Sequence, residues 1–304
     1  MHIWSASDPK NLRQILMPKF QPISKKMNNL SPFHIIRQSR LALAVIILLA
    51  IAHPSLSAEE PNKPPEPPNK PEQIFVRIQG EPYQLQDGID AYNKRDFAQS
   101  FKIFNKLVTQ SLAKEDRAAA LTKLALLYLQ GQGTPRNYAK AAALFHSAAV
   151  AGNAEAANNL GVLYAQGLGL PKDYNQAIRW YIKAANLNNA QAMSNLGVVY
   201  AKGQGVNKDW LIAVDFFRKA AETGNNIGKY NYALAYESGR GIGADAIKAA
   251  MWLTLSLDNL PQLARSQANK HYDKITRDFS SEQKGQLKSA IDKCRQQNFL
   301  NCDT

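Results

Sequence analysis

The stretch "NNLGVLYAQGLGLPKDYNQAIRWYIKAA", residues 158–185, decides the fold because it sets a glycine pair between two segments of helical periodicity. Before the pair, small and apolar residues recur at i, i+3, i+4 and i+7, at Ala157, Leu160, Gly161 and Tyr164. After it, an apolar stripe of the same spacing begins at Ala177. This spacing indicates one buried face on each of two α-helices. The stretch therefore predicts a pair of amphipathic helices joined by a glycine loop.

The pair Gly167-x-Gly169 has two interpretations, a phosphate-binding loop or the end of a helix. A phosphate loop follows a β-strand and opens a helix, whereas a helical segment precedes this pair. The pair also recurs in four places, where a nucleotide site would need it once. We therefore predict that the glycines end the first helix and take positive φ angles to turn the chain back.

The sequence repeats itself with a period of 36 residues, in copies that begin at Ala118, Ala154 and Ala190 and in a weaker copy that begins at Asn226. Four tyrosines and both glycines of each pair coincide in this register: Tyr128, Tyr164, Tyr200, Tyr236; Gly131, Gly167, Gly203, Gly239; Gly133, Gly169, Gly205, Gly241. Such a period is typical of a solenoid. One helical hairpin cannot bury its apolar stripe alone, so neighbouring hairpins stack. The predicted fold is an all-α solenoid of antiparallel helix pairs.

The shared pattern A-x-x-x-x-x-L-G-x-x-Y-x-x-G-x-G-[VL]-x-[KR]-D-x-x-x-A-[IV]-x-[WF]-[YF] resembles the Sel-1-like repeats, a subfamily of the tetratricopeptide-like α-solenoids. The fourth copy departs from it, with Tyr232-Ala233 in place of Leu-Gly. A degenerate last repeat is expected where stacking stops. The resemblance implies a tetratricopeptide-like hairpin, four repeats and a C-terminal helical cap, at 86–117; 118–153, 154–189, 190–225, 226–257; and 258–304.

The N-terminal segment has the features of an export signal. The apolar run "LALAVIILLAIA" of residues 41–52 follows Arg37 and Arg40, and small residues continue to Ala58. This order is typical of a secretory signal peptide, here residues 1–58, with Met27 as an alternative initiator. The run is shorter than the roughly 17–25 residues that span a bilayer, and an uncleaved inner-membrane anchor is the alternative. We expect a periplasmic protein, with secretion as a further alternative.

A proline-rich linker follows the predicted signal, with six prolines in residues 59–72. Such a composition favours an extended, semi-rigid spacer. The net charge of +13 does not point to nucleic acid, because residues 1–58 carry seven Lys or Arg against one acid. The remaining positive charge is spread among acids, as on an ordinary solvated surface. We expect no nucleic-acid partner.

A search for catalytic or metal-binding residues finds no supported site. S-x-x-K, one element of β-lactam-acting sites, occurs at residues 7–10, 111–114 and 281–284, but the S-D-N and K-T-G elements are absent. His146 and His271 are the histidines outside the targeting segment, and no spacing joins them to metal ligands. We predict no catalytic residue, no metal and no cofactor.

The only two cysteines, Cys294 and Cys302, lie close together near the C-terminus. In an exported chain an isolated pair favours a disulfide; the alternative is a buried Cys294 with an exposed Cys302. Asn159, Asn195 and Asn231 recur in register. We interpret them as hydrogen-bonding to neighbouring backbone between repeats, with a ladder of ligand contacts as the alternative.

The resemblance implies that the first helix of each repeat, helix A, lines the concave side of the array and carries the partner. The groove residues that it implies are Leu126, Leu129, Glu155, Asn158, Val162, Gln191, Ser194, Val198, Tyr230, Leu234 and Glu237. This set suits a peptide or helix with apolar anchors. We expect a non-enzymatic scaffold, adaptor or regulator of bacterial envelope proteins. The alternatives are a hydrolase acting on peptidoglycan or β-lactams and a secreted host-interaction factor.

Overall fold

The computed structural model describes residues 82–303, and every regular element in that part of the chain is an α-helix. The helices are α1 Leu85–Asn93, α2 Phe97–Leu107, α3 Lys114–Gln130, α4 Tyr138–Val150, α5 Ala154–Gln166, α6 Tyr174–Asn186, α7 Ala190–Lys202, α8 Trp210–Glu222, α9 Asn226–Ser238, α10 Ala246–Ser256, α11 Gln262–Thr276 and α12 Ser281–Gln296. The predicted signal peptide and proline-rich linker lie outside the described residues. Within residues 82–303, no helix is long and apolar enough to cross a membrane.

Each repeat is an antiparallel helix pair, so the predicted all-α solenoid is confirmed; helix A is α3, α5, α7 or α9, and helix B is α4, α6, α8 or α10. Polar side chains start the helices: Asn153 accepts a hydrogen bond from the Ala156 amide, and Asp173 from the Gln176 amide. These caps satisfy amides that have no partner within the helix.

The first glycine of each pair ends helix A in the left-handed conformation, as predicted. Gly167 has φ 72°, and the amides of Gly167 and Leu168 both donate to the carbonyl of Leu163. A residue with a Cβ rarely adopts this backbone conformation, whereas glycine adopts it freely.

The second glycine of each pair has a further role that the sequence did not reveal. Gly169 also has a positive φ, of 70°, and a Cβ placed on it would lie 2.4 Å from the carbonyl carbon of Tyr138 in the preceding repeat. At Gly205 the same test finds the Cβ of Tyr174 at 2.6 Å. The glycine loop of each repeat therefore rests directly on the start of helix B in the repeat before it.

Within a repeat, the two helices approach at a helical glycine. A Cβ on Gly161 would lie 2.7 Å from the ring of Tyr181, and one on Gly197 would lie 2.4 Å from the ring of Phe217. An aromatic residue of helix B therefore fills the space beside the small residue of helix A. Gly88 and Phe104 make the same contact in the N-terminal hairpin of α1 and α2.

Helix A is enclosed on two sides, because it packs against its own helix B and against helix B of the preceding repeat. A buried hydrogen bond also links neighbouring helices A, since Asn195 Nδ2 donates to Asn158 Oδ1 at 3.0 Å. The structural interpretation of Asn195 holds, but its partner is a side-chain amide rather than the predicted backbone group.

The C-terminal segment closes the array at α10, against which both α11 and α12 pack. α11 begins 36 residues after α9, so the helix period continues although the glycine pair is lost. The N-terminus of α12 is a capping box of Ser280 and Gln283. Leu287 and Cys294 of α12 are buried in the same apolar cluster as the last repeat.

Candidate partner-binding surface

Most of the predicted groove is not a surface. Eight of its eleven residues are buried, and their assignment as contact residues is therefore wrong: Leu126, Leu129, Asn158, Val162, Ser194, Val198, Tyr230 and Leu234. They are buried because helix A is enclosed by helix B on both sides and by the next helix A. Glu155 is exposed, and Gln191 and Glu237 are partly exposed.

α11 covers the last part of the predicted groove. His271 Nδ1 lies 2.7 Å from Glu237 Oε2, and Lys274 Nζ lies 3.3 Å from the other oxygen of the same carboxylate. The His271 ring also stands edge-on to Tyr230, with 6.4 Å between ring centroids. The carboxylate of Glu237 is therefore engaged by the cap helix rather than presented to a partner.

The exposed side of the array is formed by helix B, and its α4 and α6 portion is apolar and basic. Val150 of α4 is 60% exposed and Ile182 of α6 is 42% exposed, so each of the two helices presents a large apolar side chain to solvent. Neither helix contains an acidic residue. Lys183 Nζ lies 5.1 Å from the ring centroid of half-buried Trp180, and Arg179 is exposed beside it. We call this surface the α4–α6 face.

His146 of α4 is exposed and belongs to the α4–α6 face. Its ring stands edge-on to Trp180 of the next repeat, with 5.4 Å between centroids. This contact brings α4 and α6 together into one surface.

The corresponding face of α8 is neutralised by its own charges. Asp215 lies within 2.7 Å of Arg218 and 2.6 Å of Lys219, and Glu222 pairs with Arg218 at 3.2 Å. Partial burial alone would raise the pKa of Asp215, but hydrogen bonds from Lys219 and Arg218 lower it below its usual value. The net positive charge that α4 and α6 carry is therefore absent from α8.

A second polar cluster lies at the end of repeat four. Asp303 accepts hydrogen bonds from the Tyr232 hydroxyl and from Trp252 Nε1, the latter at 3.0 Å. Lys248 Nζ donates to the Asp303 carbonyl at 2.7 Å. Burial raises the pKa of Tyr232 far above its usual value and, with the Asp303 carboxylate nearby, raises that of Tyr236 to about 12. Both hydroxyls are thus protonated at neutral pH and able to donate.

The structure joins Cys294 and Cys302 in the predicted disulfide, with their Cα atoms 4.8 Å apart. Of the S-x-x-K serines within the described residues, Ser111 lies in the exposed segment after α2 and Ser281 is the first residue of α12. The match at residues 7–10 lies outside that part of the chain. The N-cap of α12 is Ser280, and Ser281 follows it without a capping role. Among residues 82–303, no group of His, Cys, Asp or Glu has the arrangement of a metal site.

Comparison with known proteins agrees with this architecture. The Sel1 repeat family model matches residues 118–153, 154–189, 190–225 and 227–259. No curated protein sequence matches this chain.

Several solved structures are similar to the chain, including two with TM-scores above 0.5. One is a Sel1 repeat protein from Oxalobacter formigenes, 28% identical, with a TM-score of 0.53, covering 62% of this chain and 74% of that one. The other is c5321, a protective antigen of uropathogenic Escherichia coli, 25% identical, with a TM-score of 0.53, covering 62% of this chain. The match spans 40% of the length of c5321. Sel1 repeats generally mediate protein–protein interactions. The chain therefore contains an array of four Sel1 repeats, stacked between residues 118 and 259.

Proposed function

We propose that this protein is a non-enzymatic scaffold that binds an acidic, partly apolar segment of another protein on the α4–α6 face. The observation that carries the proposal is the combination of exposed Val150 and Ile182 with Arg179 and Lys183 on two helices that contain no acid. A segment with apolar anchors and carboxylates would complement both properties.

The proposed site differs from the helix A groove that the resemblance implied. Trp180 supplies a large, partly buried aromatic surface to this site, and Lys183 Nζ lies 5.1 Å from the centroid of its ring. Aromatic and arginine side chains are the residue types that most often dominate binding energy at protein interfaces. The self-neutralised face of α8 would limit the contact to the first two repeats.

We further propose that the protein works in the bacterial cell envelope, exported by a Sec-type signal into the periplasm. The support is the basic segment, apolar run and small residues that end at Ala58, followed by a proline-rich spacer. The similarity to a protective antigen of E. coli is in keeping with an exported protein. An anchored form would hold the repeats away from the membrane by the length of the spacer.

The binding proposal is tested by cross-linking in the native cell followed by mass spectrometry, comparing the wild type with Arg179→Glu/Lys183→Glu. We expect the charge reversal to abolish recovery of a partner that carries acidic residues at the cross-link. The matched control is Lys202→Glu/Lys208→Glu, two exposed lysines elsewhere that change the charge equally. Equal losses in both variants would show a general charge effect, and an unchanged partner list would show that another face is used.

The enzymatic alternative has a direct test. Purified protein is incubated with a chromogenic β-lactam, and separately with purified peptidoglycan. We expect no turnover above buffer. Sustained turnover that follows the protein concentration would contradict the non-enzymatic proposal.

A further inference from the structure

The polar cluster at repeat four has the chemistry of a carboxylate-binding site. Its donors converge on one side chain, since Trp252 Nε1 and the Tyr232 hydroxyl each donate to a different oxygen of Asp303. Both aromatic donors are 1% exposed, while Asp303 itself is partly exposed. Hydrogen bonds to an ionised acceptor are the stronger kind, and more so when water is excluded.

One donor of the site comes from a departure of repeat four from the repeat pattern. Tyr232 stands where repeats two and three have Leu160 and Leu196, so the hydroxyl donor occurs only in the last of these three. Lys248, which holds the carbonyl of Asp303, stands where repeat three has Ile212 but repeat one has Lys140. The substitution that marks the last repeat as degenerate in the sequence therefore supplies a hydrogen-bond donor in the structure.

The occupant of this site is a segment of the protein itself. Asp303 directly follows Cys302, which the disulfide ties to buried Cys294 of α12. Phe299 of the same segment packs under Lys229 Nζ, which lies 3.5 Å from the ring centroid. A ligand tethered in this way has an effective concentration of about millimolar or more, and a free competitor must exceed it.

We propose that Tyr232, Trp252 and Lys248 form a peptide-binding site for an aspartate-bearing segment of a partner protein, and that residues 297–303 occupy it as an intramolecular competitor. The disulfide keeps the competitor in place. A partner segment gains access when residues 297–303 are displaced. This site lies on repeat four and does not depend on binding at the α4–α6 face.

The test uses full-length protein and two synthetic peptides with amidated C-termini, QNFLNSD and QNFLNSN. Both have the sequence of residues 297–303 with serine in place of cysteine. They differ only at the last position, which is Asp in one and Asn in the other. Binding is measured by fluorescence anisotropy to wild-type protein and to Cys302→Ser/Asp303→Asn, which frees the competitor and removes its charge. We expect the variant to bind the Asp peptide about ten-fold or more tighter than the Asn peptide. We expect the wild type to bind the Asp peptide at least about ten-fold more weakly than the variant does.

Trp252→Phe in the same background keeps the ring and removes the Nε1 donor, so the preference for the Asp peptide should fall about ten-fold. Equal binding of the two peptides, or equal binding by wild type and variant, would overturn the proposal. If the double variant unfolds by circular dichroism, Asp303→Asn with the disulfide intact serves in its place, with the same outcomes. Light scattering then measures the molar mass of Cys302→Ser. If this variant forms a dimer and the further substitution Asp303→Asn abolishes the dimer, the site binds a second copy of the chain, and the proposal of a partner protein is refuted.

Discussion

The contact between glycine loop and preceding repeat gives a quantitative prediction for Gly169→Ala. Two effects add at this position. Alanine at φ 70° incurs the cost of a left-handed backbone, about 1–2 kcal/mol. Its Cβ would also lie 2.4 Å from the carbonyl carbon of Tyr138, and this backbone atom cannot rotate away as a side chain can. Overpacking of this kind costs about 1–3 kcal/mol. We therefore expect Gly169→Ala to lower the free energy of unfolding by about 2–5 kcal/mol.

Two other glycines separate the effects. Gly152 has φ 100° with no atom within 4 Å of a built Cβ, so Gly152→Ala should show the backbone term without the contact. Gly285 lies in the exposed interior of α12, also with no atom within 4 Å, and alanine there should stabilise by about 0.5–1 kcal/mol. The measurement is urea unfolding followed by far-UV circular dichroism. If Gly169→Ala is no more destabilising than Gly152→Ala, the loop does not hold the repeats together as argued.

A solenoid adds a second signature to this experiment. Its stability is approximately the sum of repeat stabilities and nearest-neighbour interface terms. Gly169→Ala weakens the interface between repeats one and two, so we expect a broader urea transition with a lower m-value than for Gly285→Ala. A uniform shift of the whole curve would mean that the damage is confined to the folding of one repeat.

Three further predictions concern burial, the disulfide and pH. Val198 is 1% exposed, so Val198→Lys buries an unpaired charge and should lower the free energy of unfolding in urea by about 3–5 kcal/mol. Ile182→Lys should change it by less than about 0.5 kcal/mol. Equal effects of the two substitutions would show that Val198 is accessible, as a helix A groove requires. Cys302→Ser should lower stability by about 2–3 kcal/mol, and alkylation of non-reduced wild type should find no free thiol at Cys294. Folding raises the pKa of Tyr236 from 10.0 to about 12, so its stabilising contribution is complete below pH 10 and is lost as pH rises from about 10 to about 12. Thermal melting across that range should fall less steeply in Tyr236→Phe, and identical slopes would contradict the assignment.

The helix pairs were predictable because their signals are local. The apolar spacing around Leu160 and the helix end at Gly167 lie within one repeat of 36 residues, and the structure confirms both. The cap at Asp173 and the contact between Gly161 and Tyr181 are local in the same sense, because their residues belong to one hairpin.

The accessible face was not predictable in the same way. The helix A residues around Val162 and Val198 have the apolar and small character of either a groove or a core. Whether these residues form a groove or a core depends on how closely helix B of the preceding repeat and the next helix A approach them. That distance is set by neighbouring repeats and cannot be read from the sequence of one repeat. The α4–α6 face could have been found from the sequence, because Ile182 and Arg179 stand on a helix without acids.

The sequence by itself determined the helix pairs, their period, their ends and the disulfide pairing, because these depend on residues near each other along the chain. The tertiary structure alone decided which helix of each pair is buried and which side chains contact each other at repeat four. Asp303 lies 71 positions from Tyr232 and 51 from Trp252. Stacking of the last repeat, the turn of the cap around α10 and the Cys294–Cys302 link bring these side chains together, and no local pattern in the sequence records that meeting.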